Sequence, residues 1–321
     1  MKLIKYLKKI VLASVPLLAI CSCSNGEREV TPCEVDIDEI YKVLSPNEED
    51  NAQGLTFGKD SIPGSIIDFD MQTESQEIYV FFENLTVLDI NPKITKDLFE
   101  FATEELKEYG FISEDWKLTD EEFNEAFGEP ANYYSGTMAI LEKIKGAFDT
   151  QYSEIKESGE AFNAYFLIYP VYLNDNYVTY RESAYCYTGG AHGMTISYLH
   201  TYDLKSGERL TVDDIVTPEG MKSVREEVVA HMAYCYPIYE NIKTVNQYID
   251  SLNVWLDNFD QPDDSKEITV ENFPLSDPGL TSEGLVFVYE MYQLTPGSDG
   301  CPVVLIPYKD IKGCLYDKLG V

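Results

Sequence analysis

The chain has few of the residues that usually carry chemistry. Three histidines, His192, His200 and His231, serve 321 residues, and none belongs to a His-Glu-x-x-His run. No Gly-x-Ser-x-Gly elbow and no Walker-type glycine loop occurs either. Those absences remove the usual support for a zinc hydrolase, a serine hydrolase or a nucleotide-dependent enzyme. Basic residues are scarce: 24 Lys+Arg stand against 56 Asp+Glu, a formal net charge of -32. Phosphate backbones are held by clustered Lys and Arg, so nucleic acid is excluded as a partner. No two cysteines have Cys-x-x-Cys spacing, and no metal site or cofactor is expected. Beyond residue 20 no apolar run approaches the roughly 20 residues that cross a bilayer.

One apolar run is present at the start. Lys2, Lys5, Lys8 and Lys9 precede the uncharged stretch Ile10 to Ile20, which reads as a signal peptide spanning residues 1–22. Its end, Leu18-Ala19-Ile20-Cys21-Ser22-Cys23, resembles a bacterial lipobox. Cys23 is the expected lipidation site, because Ser22 before it is small whereas Ile20 before Cys21 is bulky. An ordinary secretory signal with two incidental cysteines is the alternative. Acylation, with palmitate-like chains, would anchor the protein to the cell envelope, at the outer membrane or cell surface, without a spanning helix. Loss of residues 1–22 removes four lysines and no acid, leaving 20 Lys+Arg against 56 Asp+Glu and a net charge of -36. Such a charge steers cationic partners inward in a salt-dependent way. Cys33, Cys186, Cys235, Cys301 and Cys314 remain, an odd number with no recognisable disulfide framework.

Residues 23–60 carry Pro32, Pro46, Gly54 and the run Glu48-Glu49-Asp50, and read as a tether and surface segment. Strands are expected over Ile66 to Met71 and Ile78 to Leu88. A helix is expected from Asn91-Pro92 to Gly110, a second after Thr119 with Glu122 closing a capping box, and a third capped by Thr137. These make an N-terminal α+β half over 61–155. The second half, 160–321, opens with a strand from Phe162 to Leu173 interrupted by Pro170. Helices are expected from Thr217-Pro218-Glu219 and over Thr244 to Phe259. Two strands and a short helix beginning at Pro307 close the chain. The fold class that follows is α+β: a largely antiparallel sheet with helices on one face, in two sequential halves.

The least generic stretch is Tyr185-Cys186-Tyr187-Thr188-Gly189-Gly190-Ala191-His192-Gly193. Before it, Tyr177, Thr179, Arg181, Ser183, Tyr185 and Tyr187 alternate with Val178, Tyr180, Glu182, Ala184 and Cys186. After it, Met194, Ile196, Tyr198, His200 and Tyr202 alternate with Thr195, Ser197, Leu199 and Thr201. A hairpin is expected, with the glycines supplying positive φ or close backbone approach at the corner.

The Tyr-Thr-Gly-Gly-Ala-His run is followed by Tyr202-Asp203-Leu204-Lys205-Ser206-Gly207-Glu208 and by Leu210-Thr211-Val212-Asp213-Asp214. Together they resemble the C-terminal extracellular domain of the RsiV-like, lysozyme-sensing anti-sigma factors, a domain also found in bacterial lipoproteins. A second signature agrees in order: Gly284-Leu285-Val286-Phe287-Val288-Tyr289, a turn, then a strand ending Ile306-Pro307-Tyr308. The resemblance covers about 160–318 and implies a non-catalytic binding or sensing module for lysozyme, another cationic protein or cell-envelope glycan such as peptidoglycan. The chain departs from those anti-sigma factors in having no spanning helix and no sigma-binding segment before its apolar run.

Tyr187, Gly189, Gly190, His192 and Tyr198 are the expected binding residues. The 24 tyrosines, many of them on these strands, suit either a binding face or cross-strand packing beneath helices. Three chemical alternatives stand beside this reading. One has His192 and His200 converging with Asp203 or Asp213 on zinc; another has His192 activating Cys186; and relatives of the first half accompany peptidoglycan deacetylases, which allows a cell-wall-active enzyme. Asp213 and Asp214, being adjacent, cannot form a glycosidase pair.

Overall fold

A computed structural model describes residues 28–30, 40, 42–44, 55–57, 60–62, 64–128, 132–153, 162–257 and 267–321. The leader, Cys23, Cys33 and most of the tether lie outside them. Within the segment read as tether, Val30 N donates to Lys243 O at 2.8 Å, and Ile40 and Leu44 are buried.

A short hairpin, β1 (Leu55–Phe57) and β2 (Asp60–Ile62), precedes the main sheet. That sheet runs β3-β4-β5-β6-β7, with β3 Gly64–Gln72, β4 Ile78–Leu88, β5 Phe162–Leu173, β6 Tyr177–Tyr187 and β7 Met194–Asp203. All pairs are antiparallel except β4 with β5. A parallel pair needs a long crossover, and here it holds three helices: α1 (Pro92–Glu108), α2 (Asp120–Phe127) and α3 (Tyr133–Tyr152). Asn91 caps α1 by accepting from Lys93 N, and Thr119 and Glu122 form the expected box on α2. The three helices cover one face of the sheet. Leu98, Ala102, Phe123, Ile144 and Phe148 pack there against Val80, Phe82, Ala164 and Phe166. Phe82 stacks on Phe166 with centroids 4.8 Å apart. Each ring so buried contributes roughly 1.5–3 kcal/mol.

The other face meets a second, three-stranded sheet at its β6–β7 end. Its order is β10-β9-β8, with β8 Gly279–Leu280, β9 Gly284–Val288 and β10 Val303–Pro307. Val286, Val288, Val303 and Leu305 face Leu199, Ile40 and Leu44. Leu285, Phe287, Val304 and Ile306 face the outer helices, α5 (Met221–Cys235) and α6 (Val245–Asp257). Burial on both sides explains why β9 and β10 are uninterrupted apolar runs rather than alternating ones. A single turn, α4 (Val212–Ile215), lies in the chain between β7 and α5.

Four expectations are corrected. Helix α3 begins four residues before Thr137, because Asn132 accepts from Ser135 N at 3.0 Å and supplies the cap first. Thr137 is an interior residue, 3.4 Å from the Ser65 hydroxyl. Residues Thr217 to Gly220 form a turn before α5, since Thr217 N and Oγ1 both donate to Cys314 O, at 2.8 and 3.1 Å, and hold the chain back. The segment after Pro307 is a series of turns ending in the 3-10 helix Asp317–Leu319. Pro170 does not end β5; the register shifts by one bulge between Pro170 and Tyr172 and pairing continues.

Candidate functional site

The glycine corner is built as a shaped turn at the end of β6 and β7. Gly189 and Gly190 have φ of 94° and 98°, a region that L residues resist. Gly193 is required for closeness instead: a Cβ there would lie 2.5 Å from the Tyr185 ring. Tyr187 donates to Gly190 O at 3.1 Å. His192 places Nδ1 3.0 Å from Gly193 O and Nε2 3.1 Å from the Tyr292 hydroxyl. Four of the five expected residues therefore meet at one corner, exposed or half-buried.

Tyr198 stands apart, in mid-strand on β7, and walls two cavities. The first, about 380 Å³, lies between α1 and β7 and is lined by Asp97, Glu100, Phe101, Glu104, Tyr198, His200 and Arg209. The second, about 260 Å³, is bounded by Tyr198, His200, Asp277 and Glu290. The Tyr198 ring meets Phe101 edge-on, with centroids 6.0 Å apart, and stacks on His200 at 5.4 Å. Its hydroxyl donates to Glu290 Oε1 at 2.9 Å, and burial, followed by Glu290, pushes its pKa up. The 289–293 loop thus touches both features, through Glu290 at the cleft and Tyr292 at the corner.

Behind the cleft lies a polar network; Glu182, His200 and Tyr202 belong to the alternation pattern, whereas Asp97 and Arg209 do not. Tyr202 reaches Asp97 Oδ2 at 2.7 Å and Glu182 Oε1 at 2.9 Å. Arg209 donates to the same Asp97 oxygen at 2.6 Å and meets His200 Nε2 at 3.1 Å. A guanidinium only donates, so Nε2 accepts and the ring proton belongs on Nδ1. Nδ1 lies 3.0 Å from Glu182 Oε1, off the line of a hydrogen bond, and Glu182 Oε2 has no partner although the residue is wholly buried. The signal was available: Glu182 is the one charged residue on the apolar face of β6. Acids at 97, 100, 104, 105 and 108 also recur at helical spacing along α1.

Glu105, half-buried on α1, is pushed up to about 7 by burial first and then by Glu108, Glu290 and Glu104. Cys186 is pushed up to about 12, by burial and then Glu105, and it is 1% exposed. That is the opposite of an activated thiol. The zinc grouping does not form either. His192 belongs to Tyr292, and His200 to Arg209 and Glu182. Asp203 accepts from Lys205 N and Ser206 N in its own turn. Among the described residues no three His, Cys, Asp or Glu side chains are grouped to hold a metal ion. Cys186, Cys301 and Cys314 are free thiols. No described helix is long and apolar enough to cross a membrane.

Residues 229–309 match the family model described as a protein of unknown function, DUF3298. Two solved structures are similar. One is a DUF3298 family member from Bacteroides fragilis, with a TM-score of 0.49 and 15% identity over 83% of this chain and 96% of that one. The other is a DUF3298 family protein from Pseudomonas aeruginosa, with a TM-score of 0.43 and 18% identity over 81% and 97%. No curated protein matches the chain.

Proposed function

We propose that the protein is a lipid-anchored, extracytoplasmic binding module that captures a cationic protein, lysozyme being the partner that the RsiV-like resemblance implies. The observation that carries this reading is the cleft between α1 and β7, where Glu100 and Glu104 stand at an opening walled by Phe101 and Tyr198. Asp97 and Arg209 neutralise each other inside it at 2.6 Å; at the rim Glu104 pairs with Lys107 at 2.7 Å and Glu100 with Lys96 at 3.5 Å, weak pairs with exposed carboxylates that an incoming cation can exchange. Aromatic walls with carboxylates suit lysine or arginine side chains, each cation over a ring adding about 0.5–2 kcal/mol. The test is calorimetric titration of the mature chain with lysozyme at low and at physiological salt. Binding that weakens with salt, and weakens further in Glu104→Gln, is the expected result; a flat titration at low salt rejects the reading. Mass spectrometry of membrane fractions tests the anchor by locating the acyl group on Cys23.

A second reading, a cell-wall-active enzyme, has one observation in its favour. A half-buried carboxyl near neutrality, such as Glu105, is what a general acid for glycoside cleavage requires. Peptidoglycan release assays on wild type and Glu105→Gln separate the two readings.

A further inference from the structure

The sheet face turned away from α1, α2 and α3 carries side chains in register across all five strands. Asp70, Phe81, Tyr165, Tyr185 and Thr195 are successive cross-strand partners from β3 to β7. At a strand spacing of about 4.8 Å the row is roughly 19 Å long. On the opposite face the same strands bury Val80, Phe82, Ala164 and Phe166 completely. Here Tyr165 and Tyr185 remain 38% exposed each, which is costly apolar exposure for two neighbouring rings.

The rings are held in place. Tyr165 stands nearly perpendicular to Tyr79, with centroids 5.5 Å apart, and to Phe81, at 6.5 Å. It is tilted by 46° against Tyr185 at 6.3 Å. The Tyr79 and Tyr165 hydroxyls bond each other, and Tyr185 rests on Gly193. Crossed rings do not make the flat platform on which a sugar ring lies. They do offer separate π faces and edges along a line.

The charge beside the row has one sign. Asp68, Asp70 and Glu83 are exposed on β3 and β4, and no basic residue occurs between Lys59 and Lys93. Arg181, farther along the same face, is engaged by Ser183, Tyr169 and Leu44 O. Asp68 accepts from Asn84 N at 2.9 Å; ring faces next to exposed carboxylates such as Asp70 select ammonium and guanidinium groups.

We infer that this row is a binding surface for an extended cationic peptide segment lying across the strands, its lysine or arginine side chains seated over Tyr165 and Tyr185 beside Asp70. The surface lies on the opposite side of the sheet from the α1–β7 cleft and stands independently of it.

The test is fluorescence-anisotropy titration of the full chain with dye-labelled octalysine, at low salt, alongside a neutral chito-oligosaccharide. The variants are Tyr165→Ala with Tyr185→Ala, Asp70→Asn, and the cleft variant Glu104→Gln, each checked by thermal melting. Octalysine affinity is expected to fall about tenfold in the tyrosine variant, the size of one or two cation–π contacts. It should fall severalfold in Asp70→Asn and little in Glu104→Gln. If the tyrosine variant does not fold, Asp70→Asn decides. Unchanged affinity in Asp70→Asn and the tyrosine variant, loss in Glu104→Gln alone, or binding of the chito-oligosaccharide in place of octalysine would each overturn the inference.

Discussion

The Tyr198 hydroxyl donates to Glu290 Oε1 across 2.9 Å, joining the strand that walls the α1–β7 cleft to the loop between β9 and β10. Tyr198→Phe removes one charge-assisted hydrogen bond, which contributes roughly 1.5–3 kcal/mol when buried and less at this half-exposed position. Its ring contacts with Phe101 and His200 survive. A stability loss of about 1 kcal/mol in urea unfolding, with lysozyme affinity nearly intact, is expected. Tyr198→Ala also removes the wall, and affinity should then fall about tenfold.

The raised Glu105 pKa makes a pH prediction with a definite sign. Burial and neighbouring acids push it up to about 7 from the 4.5 of a free glutamate. The folded protein therefore keeps a proton that the unfolded chain releases between those values. Stability falls as pH rises from about 4.5 to about 7 and then levels. Glu105→Gln should flatten that slope in denaturation measured between pH 5 and 8. A cationic ligand favours the ionised form, so its affinity should rise over the same interval and its binding should release protons, seen as a buffer-dependent calorimetric enthalpy.

Gly193 was readable as a corner residue, but the reason it must be glycine was not. Its Cβ position lies 2.5 Å from Tyr185, a neighbour fixed by strand pairing rather than by sequence proximity. Gly193→Ala should cost about 1–3 kcal/mol through overpacking. It should also tilt Tyr185, visible as a change in near-ultraviolet circular dichroism.

Period and local chemistry made much of the fold legible. Alternation marked β6 and β7, the dense apolar and aromatic run over Ile78 to Leu88 marked β4, and Thr119 with Glu122 marked α2 through a contact three residues long. What was illegible depended on distant partners. Thr217 is held in a turn by Cys314, 97 residues away, so its hydroxyl caps a turn and not a helix. The cleft shows the same division. Tyr198 was named from its place after the glycine corner, whereas Asp97 and Arg209 come together only because the helical crossover lays α1 against β7. Local pattern cannot report a pair separated by 112 residues.

Glu182 gives the sharpest stability test. The Tyr202 hydroxyl carries one hydrogen and faces two carboxylate oxygens, Asp97 Oδ2 at 2.7 Å and Glu182 Oε1 at 2.9 Å. With both acids ionised one of these contacts has no hydrogen in it, and only Arg209 offsets two charges. An amide in place of Glu182 removes one of the two charges; because Tyr202 and His200 Nδ1 face the same oxygen, Oε1, the amide oxygen takes that place and the NH₂ takes the place of Oε2, which already has no partner. Glu182→Gln should therefore stay close to wild-type stability, despite the substitution of a fully buried charged residue. Glu182→Leu has similar bulk and removes both oxygens, leaving the proton on His200 Nδ1 without its nearest acceptor. An unsatisfied buried donor costs about 1–3 kcal/mol. Chemical denaturation of the two variants at neutral pH checks the ordering, and a Gln variant less stable than the Leu variant would show that the network depends on the full carboxylate charge.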